Sequence, residues 1–205
     1  MEPKLIILAA GQGTRLSPYT DNIPKSIIPL HGVPLLEWQI KVARECGIKE
    51  IIVVKGYKQE KINIPNITYF LNKNYATTNM VETLMCAKEI LSGEVIVSYG
   101  DIIYEPSVLD TLIHSENEIS IIVDEGWEQY WRTRFTDPLD DAESLNFDSN
   151  NNIKTIGERV NNIKDVKGQY IGLMKFSDIG IKKILSTYNR LKDSQDQFQL
   201  EKDIN

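Results

Sequence analysis

LAAGQGTRLSPYTDNIPKSIIPL, residues 8–30, is the stretch on which the reading of this chain turns. It is entered from KLIILAA, residues 4–10, an unbroken apolar run without polar alternation, as in a strand covered on both faces. That run is too short for a leader and continues into a charged loop, so it reads as a strand. Two glycines, Gly11 and Gly13, follow at once, then Arg15, two prolines and Lys25. Helical spacing starts only at LLEWQIKVARECG, which sets Leu36, Ile40 and Ala43 on one face and stops at Gly47.

Beyond this start, strands and helices alternate. EIIVVKG (50–56), ITYFLN (67–72), EVIVSYGD (94–101) and EISIIVDEG (118–126) read as further strands. MVETLMCAKEIL (80–91) reads as a helix with Val81, Leu84 and Met85 facing inward, and Pro106 opens another through Leu112. This rhythm predicts a Rossmann-like, mostly parallel sheet flanked by helices. After Gly126 the texture changes. SLNFDSNNNIKTIG predicts a hairpin around Asn150–Asn152, QYIGLMKF (169–176) another strand, and a helix follows to about Asn189. The expected organisation is one α/β domain: a core over residues 1–125, a small mixed β lobe over 126–176, then a helix and polar tail over 177–205.

Composition bounds the possibilities. A chain of 205 residues with 41% hydrophobic and 25% charged residues fits one soluble globular domain. Its net charge of -6 argues against nucleic acid as a partner. No apolar run reaches the roughly 20 residues of a membrane span, so no membrane association is expected. Cys46 and Cys86 read as reduced core residues of a cytoplasmic protein, and two cysteines alone make no zinc site. His31 and His114 have no nucleophile or metal partner in sequence and read as structural or solvated.

Ligands of open parallel sheets bind beyond the carboxyl ends of the strands, where the loop at residues 10–25 must sit. Gly11 and Gly13 let backbone N–H groups approach a phosphate. Two familiar phosphate loops fail here: the dinucleotide fingerprint meets Leu16 where its third glycine belongs, and no Gly-Lys-Ser/Thr is present. The stretch instead resembles the signature of nucleotidyltransferases that activate sugar phosphates and phosphocholine, L-A-A-G-x-G-T-R-L-x-P-x-T-x-x-x-P-K, with every fixed position filled. The resemblance implies a nucleotidyltransferase fold that wraps a nucleoside triphosphate. Leu8, Ala9, Ala10, Gly11, Gly13 and Thr14 would lie along the nucleotide, and Arg15 and Lys25 would meet its phosphates as catalytic cations. Arginine suits that task as a forked donor and lysine as a mobile point charge.

The same resemblance makes Asp101, which ends the fourth strand, a Mg²⁺ ligand. Such enzymes carry a second metal aspartate near the C-terminus. Asp193, Asp196 and Asp203 in the polar tail carry no motif for it, so that segment of the family is expected to be missing here. In NKNYATTNMVETL, Asn79 reads as a helix cap with Glu82 closing a capping box. The segment also resembles the N-x-x-Y-x-x-T-N loop of cytidylyltransferases, in which Thr77, Thr78 and Asn79 would face the base. DEGWEQYWRTRFTDPLDDAES (124–144) has two readings: a short helix with packed tryptophans and an i,i+4 ion pair from Glu128 to Arg132, or an acceptor pocket of Trp127, Trp131, Arg132 and Asp137. The resemblance implies a cytidylyltransferase coupling CTP to a small phosphorylated amine, amino acid or phosphonate for capsule or cell-surface biosynthesis. The rival readings are a sugar-1-phosphate nucleotidyltransferase using dTTP, UTP or GTP, and a nucleotide-binding module that no longer catalyses.

Overall fold

A computed structural model of the chain describes residues 2–193. In chain order its elements are strand β1 (Lys4–Ala9), the short pair β2 (Pro29–Leu30) and β3 (Val33–Pro34), helix α1 (Leu35–Glu45), β4 (Ile51–Lys55), β5 (Thr68–Leu71), α2 (Met80–Met85), β6 (Val95–Tyr99), α3 (Pro106–Ile113), β7 (Ile119–Asp124), α4 (Trp127–Arg134), β8 (Glu143–Phe147), β9 (Ile153–Arg159), β10 (Gln169–Phe176) and α5 (Asp178–Asp193). Two compact units result: the chain up to Ser120 together with the chain from Leu173 onward, and Ile121–Gly172.

The first unit is built around β1. Leu5, Ile6 and Ile7 are fully buried, as the absence of polar alternation requires. Each such side chain contributes about 1.5–3 kcal/mol by leaving water. β1 pairs in parallel with β4 on one side, Leu8 opposite Val54, and with β6 on the other, Leu8 opposite Tyr99. β5 extends the sheet beyond β4, again in parallel. The full strand order is β5-β4-β1-β6-β10-β7. β10 joins antiparallel to β6, Leu173 opposite Ser98, so the sheet is mostly but not wholly parallel.

Two details differ from the sequence expectation. The predicted helix over 80–91 is split. After α2 the amide of Cys86 is shared between the carbonyls of Glu82 and Thr83, and the chain tightens into a 3₁₀ turn at Lys88–Ile90. Val81 is 38% exposed rather than inward. The cause is Thr83, two residues on and so about opposite on the helix: its hydroxyl accepts from the buried Asn72 amide at 3.0 Å, which turns that side inward and Val81 outward. Leu84 and Met85 are buried as expected. Cys46 and Cys86 are free thiols but only half-buried, because each sits just past a helix end rather than on its inner face.

In the second unit, β8 and β9 pair antiparallel around the Asn150–Asn152 turn. Asp148 organises that turn by accepting from the amides of Asn150 and Asn152, each at 2.9 Å. Those donors, the Asn152 amide foremost, hold its carboxyl down at about 2. Trp127, Ala142 and Val166 form the unit's small apolar core.

Candidate active site

β1 and β6 end side by side, and both deliver their chains to one cavity of about 480 Å³. Leu8 and Ala9 form its floor. Gly11, Gly13, Thr14 and Arg15 come from the following loop, Lys25 from the loop's far end, and Asp101 from the end of β6. Residues far apart in sequence thus meet at the carboxyl edge of the sheet, where a ligand of such a fold belongs.

The loop's shape follows from its sequence. Gly13 has φ 72°, a left-handed conformation that glycine adopts freely, and it opens a 3₁₀ turn at Thr14–Leu16. A Cβ there would lie 2.8 Å from Lys25 Cβ, so the glycine also makes room for the lysine. Gly100 serves β6 similarly: a Cβ would come within 2.9 Å of the Leu8 carbonyl oxygen. The loop is tied down both from within the motif and from outside it. The buried Thr20 hydroxyl donates to the Gly13 carbonyl at 2.9 Å, and the Tyr57 hydroxyl donates to the Asp21 carbonyl at 2.7 Å. The Tyr57 amide holds the Ala10 carbonyl at 2.9 Å, so Ala10 is buried as an anchor rather than a cavity wall.

The charges are arranged for use. Lys25 Nζ donates to Asp101 Oδ2 in an ion pair whose side chains are 35% and 32% exposed, so both remain reachable by a ligand. Arg15 is exposed and makes no ion pair among the described residues. One carboxylate open to water suits Mg²⁺, which prefers one or two carboxylates plus phosphate oxygens and water to an all-protein cage. Among the described residues there is no group of three or more His, Cys, Asp or Glu side chains that could hold a metal ion. Asp193 lies at the last position of α5, and Asp196 and Asp203 fall outside the described residues.

The loop before α2 is largely occupied with its own structure. Asn79 caps α2, its Oδ1 accepting from Val81 N at 3.0 Å and Glu82 N at 3.2 Å. Glu82 itself accepts from the Tyr188 hydroxyl at 2.8 Å. The Thr77 and Thr78 hydroxyls both donate to the Asn74 carbonyl, at 3.3 and 2.9 Å. Asn72, 3% exposed, donates to Thr78 Oγ1 and receives the Asn74 amide. From this segment it is Met80 that lines the cavity, not Thr77, Thr78 or Asn79. Thr20 and Asn72 occupy fixed positions of the two quoted motifs, but the sequence assigned them no role because their partners are set by the fold; Tyr57 lies outside both motifs and acts through contacts that no local pattern encodes.

The four residues expected to hold an acceptor all lie in the second unit. Trp127 is 3% exposed within its core and meets Trp131 edge to face, ring centroids 6.0 Å apart. Arg132 makes the i,i+4 pair, donating from Nε and Nη2 to Glu128 Oε1 at 2.8 and 2.7 Å. Asp137 caps a 3₁₀ turn by accepting from Leu139 N at 3.0 Å. Arg132 and Asp137 also line a cavity of about 440 Å³ with Thr136, Asn161 and Asn162, while the tryptophans do not.

With the fold and the loop in place, the class follows: residues 5–147 match the MobA-like NTP transferase domain, and the chain belongs to that family. Among its relatives is CTP:phosphoglutamine cytidylyltransferase of Campylobacter jejuni, 36% identical over 199 residues, which covers 91% of this chain and 78% of the relative. Choline-phosphate cytidylyltransferase of Streptococcus pneumoniae is 34% identical over 116 residues, 55% of this chain and 51% of that enzyme. The solved structure of the CTP:phosphocholine cytidylyltransferase from Streptococcus pneumoniae superposes with a TM-score of 0.70 at 23% identity, covering 95% of this chain and 79% of that one, which establishes the nucleotidyltransferase fold. Among the described residues no helix is long and apolar enough to cross a membrane.

Proposed function

We propose that the chain is a Mg²⁺-dependent cytidylyltransferase that joins CTP to a small phosphorylated amine, amino acid or phosphonate and releases pyrophosphate. The observation that carries this reading is the meeting of Arg15, Lys25 and Asp101 around the glycine loop in one cavity. The cytidylyltransferases among its relatives support cytosine as the base and a small phosphorylated compound as the acceptor. The product would serve cell-surface polysaccharide or lipid modification.

In the reaction an acceptor phosphate or phosphonate oxygen attacks the α-phosphorus in line. A new P–O bond forms as the bond to the bridging oxygen breaks, and that oxygen leaves with its electron pair on pyrophosphate. Little covalent work falls to the protein, so positioning and charge stabilisation dominate. Backbone N–H groups of the loop around Gly11 and Gly13 cradle phosphate oxygens. The Arg15 fork takes two of them, and Lys25 leaves Asp101 to neutralise the tail of the triphosphate. Asp101 would hold the cation, whose charge would offset that of the phosphates.

A panel assay tests the reading. Protein, Mg²⁺, each of the four common ribonucleoside triphosphates or dTTP, and a set of acceptors are incubated, and pyrophosphate release is followed. Turnover is expected with CTP and an amino-phosphate, phosphonate or phosphorylated amino acid. Turnover with hexose 1-phosphates alone would move the chain to the sugar branch, and binding without turnover on any acceptor would overturn the assignment as an enzyme.

A further inference from the structure

The turn that carries Asp101 is held from behind by a side chain that no motif marks. α1 buries Leu36, Ile40 and Ala43, yet one position on its inner side is polar: Gln39, 1% exposed. Its Nε2 donates to the Tyr99 carbonyl at 2.9 Å and to the Ile102 carbonyl at 2.8 Å. Those two carbonyls bracket Gly100 and Asp101. Its Oε1 accepts from the Ser98 hydroxyl at 2.7 Å, and Ser98 is fully buried. The orientation of the amide follows from this set of partners. Carbonyls only accept, so the NH₂ group must face them, and the serine proton goes to the remaining oxygen.

The position of these bonds matters as much as their number. β6 pairs with β1 as far as Tyr99, and the last backbone bond along it runs from Gly100 N to Leu8 O at 3.0 Å. Beyond that point the sheet no longer holds the chain, and Gln39 takes over. A buried carboxamide is costly unless its polar atoms are paired, and an apolar residue would fill the same space without that cost. It would also take the Gln39 donor from the Ile102 carbonyl and the shorter of two donors from the Tyr99 carbonyl, which keeps the Ser98 hydroxyl at 3.3 Å.

We propose that Gln39 is a positioning residue: it clamps the Tyr99–Ile102 turn so that the Asp101 carboxylate stays aimed at Lys25 and at the cation of the bound triphosphate. The role rests on the reading of the cavity given under Proposed function. Residues that orient a metal ligand typically cost about 10- to 100-fold in activity or metal affinity when lost. Gln39→Met therefore lowers kcat and raises the half-saturating Mg²⁺ concentration by that range, with little change in KM for the acceptor. Ser98→Ala, which removes only the hydroxyl that orients the amide, shifts Mg²⁺ dependence the same way by less, and it serves should Gln39→Met fail to fold.

The test pairs kinetics with hydrogen exchange. Wild type, Gln39→Met, Ser98→Ala and Leu36→Ala are compared for Mg²⁺ dependence with CTP and acceptor, and for amide exchange in the peptide spanning residues 99–104. Leu36 is fully buried in the same helix and serves as a packing control. Faster exchange confined to 99–104, with the Mg²⁺ shift seen in the Gln39 and Ser98 variants but not in Leu36→Ala, is the expected result. Unchanged exchange in Gln39→Met would sink the clamp. Kinetics identical to Leu36→Ala at equal loss of Tm would reduce Gln39 to a structural residue and overturn the proposal equally. Should wild type turn over no acceptor, the reading of the reaction fails, and the exchange measurement still decides the clamp.

Discussion

At the scale of single residues, Lys25 and Asp101 are 76 positions apart in sequence yet form an ion pair. Both side chains are about a third exposed, and such a pair contributes only about 0–1 kcal/mol to folding. Their worth lies in ligand chemistry, and that separates activity from stability in a testable way. Arg15→Ala and Lys25→Ala each lower turnover by about 10²- to 10³-fold, the usual cost of losing one stabiliser of developing charge, while Tm barely moves. Asp101→Asn keeps the shape and removes the charge, and should abolish metal-dependent turnover. Near-wild-type rates in these variants, read by pyrophosphate release beside a thermal melt, would defeat the assignment. These three residues were legible in the sequence because a contiguous signature and a strand end place them. Gln39 was not, since nothing near it in the chain tells a buried glutamine from a solvated one. Its partners lie 59, 60 and 63 residues away.

At the scale of elements, β10 is the strand whose place the sequence could not supply. Its length and bounds were legible from QYIGLMKF, but pairing with β6 depends on a non-local antiparallel register. One of its residues shows what that insertion achieves. Lys175, 2% exposed, donates to the carbonyls of Ile113 at 2.7 Å and Ser115 at 2.9 Å, and lies 3.1 Å from Glu94 Oε1. The ammonium thus caps the C-terminal end of α3, the end whose carbonyls lack helical partners and attract a cation. Lys175→Met keeps the stem and deletes the charge, leaving those carbonyls without a donor. A buried acceptor so stranded costs about 1–3 kcal/mol, and Glu94, a third exposed, keeps part of its hydration. The expected loss is about 3 kcal/mol, a fall in Tm of roughly 6–12 °C for a chain of this size. An unchanged melt would show that the cap carries no weight.

At the scale of the whole molecule, the fold class was readable because apolar runs and helical spacing alternate through the first 126 residues. The outward turn of Val81 was not, because it hangs on Thr83 reaching Asn72 across the loop. A ligand that binds only the folded chain stabilises all of it by mass action. CTP with Mg²⁺ at a hundredfold excess over its Kd should therefore add about 2.7 kcal/mol, raising Tm by roughly 5–11 °C. The same experiment on Arg15→Ala should show a much smaller rise at that concentration. A flat melting curve for wild type with every nucleotide tried would mean that the glycine loop encloses no triphosphate.

The contact between Lys25 and Asp101 also bears on which ligands the proposed site would favour. A lone anion that captured the ammonium would strand a carboxylate, and a lone cation that captured the carboxylate would strand an ammonium. A metal–triphosphate chelate brings both counter-charges in one body and strands neither. On the reading proposed above, the pair would therefore favour the chelate over stray phosphate or a free divalent ion by no more than the roughly 0–1 kcal/mol that such an exposed pair is worth.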